Sequence, residues 1–230
     1  MRSEEIPEIA TLPMFAAMQP ELRDSVFAAA FLQVFPPALR LFEVGARADF
    51  LHILVDGLVE LYTASAGREV TIQLVRPVSS FILAAAYTDQ RYLMSARTLS
   101  ASRILMIPSS LLRDAIVRDS AFAQSALTEI ALRYRTVIRA LTDMKVRQTL
   151  ERLANFLLLE SKAQGGAAQF ALPAEKRVIA SLLGMAPENL SRACGALADH
   201  GALINGPTVR IVDRAKLTAL ARPDMVIDDQ

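Results

Sequence analysis

Hydrophobic positions change their period twice along the chain. Between about Phe31 and Pro108 they come in short β-prone runs, Leu39–Phe42, Leu51–Val55, Leu58–Thr63, Val70–Val75 and Thr98–Pro108, interrupted at Gly45, Asp56-Gly57, Ala66-Gly67 and Arg76-Pro77. Evenly spaced short runs between glycine and proline turns predict an antiparallel sandwich or barrel. Short helices are expected to flank it, one near Glu21–Ala30 and one from Ser109. From Ser120 to Asp143 the period becomes helical: Ala123, Leu127, Ile130, Tyr134, Val137, Leu141 and Met144 step alternately by four and three. Such a heptad seam predicts a long helix that pairs in parallel with a second copy through Leu127, Ile130, Tyr134, Val137, Leu141 and Met144. Packing of the seam within one chain is the alternative.

The third region is helical again but punctuated. Thr142–Lys145 reads as a hinge, Val146–Ser161 as a helix and Gln164-Gly165-Gly166 as a loop. A helix over Ala174–Leu183 turns Val178, Ile179, Leu182 and Leu183 inward, and Gly184 supplies its left-handed stop. Pro187 suits the first position of the next helix, because its missing N–H would be unpaired there anyway. Leu190, Cys194 and Leu197 form that helix's apolar stripe. The opposite face carries Glu188, Ser191, Arg192 and Gly195, with Asn189 beside them. An acceptor, a hydroxyl, a guanidinium fork and a spot without a side chain can read base edges in a major groove. A helical hairpin with no such role is the alternative. Two β-prone runs around Asn205-Gly206 then predict a hairpin, the wing of a winged helix-turn-helix.

Charge moves the balance toward DNA. Residues 146–222 hold ten Lys/Arg against six Asp/Glu, whereas residues 1–145 hold fifteen of each. An excess of four is small, so affinity is expected to come from two copies binding together. With 230 residues and 53% apolar content there is room for two cores. The longest apolar runs, Phe81–Tyr87 among them, are too short to span a membrane. The acidic start, Met1-Arg2-Ser3-Glu4-Glu5, lacks a signal peptide's apolar core, so a cytoplasmic location is expected. One cysteine rules out internal disulfides and all-cysteine metal or iron–sulfur sites within one chain. There is no phosphate-cradling glycine loop and no supported Ser/His/Asp set, which argues against an enzyme.

A β-roll, a long dimer helix and a C-terminal winged helix-turn-helix, in that order, resemble the CRP/FNR family of bacterial transcription regulators over nearly the whole chain. The expected fold is α+β: an antiparallel β-roll like a cyclic-nucleotide-binding jelly roll over residues 1–119, a dimerisation helix and hinge over 120–145, and the DNA-binding domain over 146–230. Glu188-x-x-Ser191-Arg192 matches the recognition-helix signature of the FNR-like branch. That resemblance implies a TTGAT-type half-site repeated as a palindrome. The stretches Arg177–Met185 and Pro187–Arg192 are most similar to the nitrogen-oxide-responsive Dnr and NnrR subgroup. Phe42-Glu43-x-Gly45, Ile53-Leu54-x-x-Gly57 and Gly67-Arg68-Glu69 also match the family's roll. The implied partners are a double-stranded operator, a second copy and, for an activator, RNA polymerase.

Departures bear on the signal. Cyclic-nucleotide-binding members carry Phe-Gly-Glu where this chain has Phe81-Ile82-Leu83, and Arg-Ser near its Tyr92-Leu93. A buried phosphate without a cation is costly, so cyclic nucleotide binding is not expected. An apolar effector pocket of Phe81, Leu83, Tyr92, Leu93 and Tyr134 is expected instead. No N-terminal cysteines exist for an iron–sulfur oxygen sensor. The resemblance to nitrogen-oxide-responsive members makes His52 and His200 candidate haem ligands, although His200 beside Gly201 also suits a helix end and His52 an apolar strand. Cys194 is a candidate redox switch or a buried, inert thiol. Two functions stay open: a signal-gated dimeric regulator, and a ligand-independent one whose roll only supports dimerisation.

Overall fold

The computed structural model describes residues 1–65 and 67–228. It divides into two compact units, Met1–Tyr134 and Arg135–Gln230, with the boundary inside one long helix. The first unit runs α1 (Ile6–Ala10), α2 (Pro20–Ala28), β1 (Phe31–Phe35), β2 (Arg40–Phe42), β3 (Phe50–Asp56), β4 (Val59–Ser65), β5 (Arg68–Val75), β6 (Ser79–Phe81), α3 (Leu83–Thr88), β7 (Ser95–Thr98), β8 (Ser102–Pro108) and α4 (Ser109–Arg118). Two antiparallel sheets, β1-β8-β3-β6 and β2-β7-β4-β5, make the roll.

Alternation along β3 serves two cores at once. Leu51 and Ile53 pack with Phe15, Phe27, Leu112 and Phe122 of the helical layer. Leu54 joins Val59, Leu61, Val75, Phe81, Ala96 and Ile104 from both sheets. The predicted runs are strands with shifted ends, except that Thr98–Pro108 is divided between β7 and β8. Strand β1 has no simple alternation, with Phe31 and Val34 exposed, and β6 is only three residues long. Their short or irregular patterns hide them from periodicity. Of the turn expected at Ala66-Gly67, Ala66 lies outside the described residues.

Helix α5 (Ser120–Val146) holds 27 residues without glycine or proline. Asp119 starts it: its Oδ1 accepts from the N–H groups of Ala121 and Phe122, and its Oδ2 from that of Gln19. The hinge expected over Thr142–Lys145 is helix instead. Nothing there interrupts the hydrogen-bond ladder, and Arg147 N–H still donates to Asp143 C=O at 3.1 Å. The break falls at Arg147-Gln148, before α6 (Thr149–Ala163).

The second unit continues with β9 (Gln169–Ala171), α7 (Lys176–Leu182), α8 (Pro187–Ala196), a 3₁₀ turn (Leu197–His200), β10 (Ala202–Asn205), β11 (Thr208–Ile211), α9 (Arg214–Ala221) and α10 (Met225–Asp228). The predicted hairpin gains a third strand in the order β10-β11-β9. Leu153, Leu157, Ile179, Leu190, Leu197, Val209 and Leu217 share its core. Gly201, at φ +86°, closes the wing onto this core. A Cβ there would lie 2.3 Å from the Asp213 carbonyl oxygen, so only glycine fits.

Candidate nucleic-acid interface

Helix α7 ends in a Schellman turn. Gly184, at φ +66°, donates its N–H to Ser181 C=O, and Met185 N–H reaches Ala180 C=O. Two residues later Pro187 opens α8, whose N-cap Ala186 is extended and offers no side-chain cap. Leu190, Ala193 and Leu197 bury the inner face. Cys194 is half-buried at its margin, less deep than the expected stripe, and burial pushes its thiol pKa up. A raised pKa leaves less thiolate for oxidation.

Glu188, Asn189, Ser191, Arg192 and Gly195 are all exposed on the other side of α8. The structure thus brings the whole expected reading set to one surface. The Arg192 guanidinium donates through Nη2 to Asn189 Oδ1, a contact that helical spacing of three allows. Lys176 and Arg177 at the start of α7 and Arg210 in the wing are also exposed, and periodicity alone did not single them out. Among described residues no cluster of three or more His, Cys, Asp or Glu could hold a metal.

The expected effector residues are not brought together as one set, although Phe81 and Tyr92 both stack on Phe42. Phe81 is buried between the sheets, whereas Leu83 belongs to the helical core. Tyr92 stacks on Phe42 at 3.9 Å, and burial raises its phenol pKa to about 12. Leu93 and Tyr134 are exposed, at 82% and 66%. Ile82 sits at φ +63°, a left-handed conformation that costs a β-branched residue about 1–2 kcal/mol. The backbone there takes a turn that glycine adopts at lower cost.

Neither histidine fits haem. The His52 ring lies 5.1 Å from Phe42 and 5.3 Å from Phe81, which leaves no space for a porphyrin. Burial pushes its pKa down to about 4, so the ring is neutral. Half-buried His200 lines a shallow groove of about 360 Å³ with Glu151, Lys216, Ala219, Leu220 and Arg222, open to solvent rather than enclosing a macrocycle. A buried network that sequence reading missed lies elsewhere in the roll. Glu60, 1% exposed, accepts from Thr71 Oγ1 and from Arg97 Nε, and Arg97 also donates to Glu69. Only strand register places Glu60 opposite Arg97.

Comparison with known proteins agrees with this layout. A cyclic nucleotide-binding domain profile matches residues 32–119 and a Crp-like helix-turn-helix domain profile residues 151–220. The chain belongs to the CRP/FNR family. It is a DNA-binding transcription regulator, and members of this family are not enzymes. A proposed cAMP-binding regulatory protein of Silicibacter pomeroyi DSS-3 is 26% identical, with 91% of this chain and 94% of that one covered and a TM-score of 0.62. FixK2 of Bradyrhizobium japonicum is 21% identical (85% and 98% covered, TM-score 0.74). A CRP-family transcriptional regulator of Thermus thermophilus is 18% identical (83% and 97% covered, TM-score 0.70). The last two likenesses are of fold. No curated protein sequence matches the chain significantly.

Proposed function

We propose that this CRP/FNR-family regulator binds, as a cytoplasmic homodimer, a TTGAT-type palindrome read by α8, and answers to a signal other than a cyclic nucleotide. The observation that carries the reading is the two-faced α8: Glu188, Ser191, Arg192 and Gly195 exposed over buried Leu190, Ala193 and Leu197. Arg is matched to guanine O6/N7 and Glu to cytosine N4–H, and exposed Lys176, Arg177 and Arg210 supply phosphate contacts. Dimerisation is supported by the seam of α5, where Leu127, Tyr134, Val137, Leu141 and Met144 are between 48% and 66% exposed in a single chain, whereas Ile130, also expected on the seam, is half-buried against the core of its own roll. An apolar stripe left in water at heptad spacing favours a second helix.

Against a cyclic nucleotide stand Leu83, buried where the family's ribose-binding Glu is expected, and Arg97, held by Glu60 and Glu69. Nitric oxide, through haem or through thiol chemistry, is the signal the subgroup resemblance suggests, yet the packing of His52 favours a route other than haem. The filled interior around Phe42, His52, Phe81 and Tyr92 favours a second reading: a ligand-independent regulator controlled by its own abundance.

The test is operator binding by purified protein, supplied with haem, with and without nitric oxide and with and without cAMP. Tight binding to the palindrome and weak binding to one half-site supports the dimeric reader. Affinity that follows nitric oxide supports the gated reading. Affinity indifferent to every addition supports the ligand-independent one, and affinity that rises with cAMP overturns both.

A further inference from the structure

The break between α5 and α6 is tied down by the last described turn of the chain. Arg147, 8% exposed, donates through Nη1 to Asp143 Oδ1 and to Asp228 Oδ1 (2.9 Å), and through Nη2 to Asp228 Oδ2 (2.5 Å) and the Arg222 carbonyl (3.3 Å). Asp228 also accepts from Asn155 Nδ2 of α6 at 2.7 Å and from the N–H of Asp224 at 2.6 Å. One carboxylate therefore gathers a guanidinium fork, an amide and a backbone donor. These hydrogen bonds, the guanidinium's foremost, hold its pKa down despite the opposing effect of burial.

The same junction reaches the reading motif through a second arginine. Arg152 Nη1 donates to the carbonyls of Arg147 (2.7 Å) and Met144 (3.4 Å), while its Nε donates to the Leu183 carbonyl at 3.1 Å. Leu183 precedes Gly184, the turn that aims α8. Met144 packs at that turn too, since a Cβ on Gly184 would lie 3.1 Å from Met144 Cε. A continuous chain of polar contacts thus runs from α10 through Arg147 and Arg152 to the turn before the reading helix.

We propose that Asp228 is a positioning residue for DNA binding, a latch that stiffens the α5–α6 junction by clamping Arg147. In this role α10 touches no base. It keeps the reader in a fixed relation to the end of α5, so that a palindrome meets two pre-set readers. The functional part rests on the dimeric reading above, while the latch itself does not.

Full-length Asp228→Asn and Arg147→Met variants test it by hydrogen exchange and operator binding. Asn keeps the shape of Asp228 but removes its charge, and Met keeps an unbranched apolar stem at 147 without the guanidinium. Asp228→Glu serves as the conservative rescue. With the latch, exchange of the amides of residues 147–152 rises roughly tenfold or more in both variants. Amides of α8 and the wing stay as in the parent, and the double variant is no worse than either single one. Palindrome affinity falls several-fold while single half-site affinity is unchanged. Unchanged exchange at 147–152, or an equal rise throughout the second unit, overturns the latch. Faster local exchange with unchanged palindrome affinity overturns its role in DNA binding. A loss of palindrome affinity in a protein that is no longer dimeric overturns the positioning role, because Asp228 would then act through dimerisation, and sedimentation identifies that case.

Discussion

At the scale of single residues, chemistry is concentrated in a few side chains whose settings differ sharply. Arg192 is exposed and braced by Asn189, so its free donors are presented in a restricted geometry. Replacing it by Ala is expected to cost about 1–3 kcal/mol of operator affinity and to relax preference at one base pair, because a bidentate guanine contact is lost. Footprints on single-base operator variants check this, and an unchanged preference removes the assignment. His52 is the opposite case, a neutral ring sealed between Phe42 and Phe81. Its folded pKa of about 4 lies below the unfolded value of about 6.5, so the unfolded chain takes up a proton first. The stability it contributes is complete above about pH 6.5 and is lost as pH falls toward 4. Between pH 8 and pH 5 the loss is about 2 kcal/mol. Urea unfolding at the two pH values, compared with His52→Phe, checks it: the variant should lack that part of the acid sensitivity.

At the scale of elements, helix ends decide how the reader is aimed. The Schellman turn at Gly184 and Pro187 at the first position of α8 are both strong signals, yet the N-cap between them is Ala186. Its backbone is already extended, with φ −69° and ψ 149°, which is the geometry a capping Ser or Thr needs. Ala186→Ser is therefore expected to stabilise the second unit by about 1 kcal/mol, seen as a higher thermal midpoint. No gain would show that the first N–H groups of α8 are satisfied another way. Long α5 shows the converse: with Asp119 capping its start and no breaker inside it, it runs past the expected hinge to Val146. Thr142–Lys145 is polar apart from Met144 and lies where the heptad seam ends, which is why the expected hinge falls early. A ladder with nothing to interrupt it continues regardless.

At the scale of the whole molecule, the exposed seam of α5 is the feature a single chain leaves unresolved. Leu141→Glu places a charge on that seam and is expected to split the dimer and abolish tight palindrome binding, as measured by sedimentation and operator titration. A monomer that still binds the palindrome at full affinity would refute the heptad reading. The two reading helices would then act independently, and the small basic excess of residues 146–222 would have to hold DNA on its own.

Sequence alone determined what is local and periodic. The exposed polar face of α8, the long helix α5, the wing hairpin and the alternating strands follow from spacing, because helices and strands repeat their faces every few residues. Tertiary structure decided what depends on partners distant along the chain. Phe81 and Leu83 went to different cores, Leu93 and Tyr134 turned outward, Glu60 found Arg97, and Arg147 found Asp228. Spacing fixes which way a side chain leaves its own backbone. It carries no information about what another strand or helix, folded from far away, will place opposite.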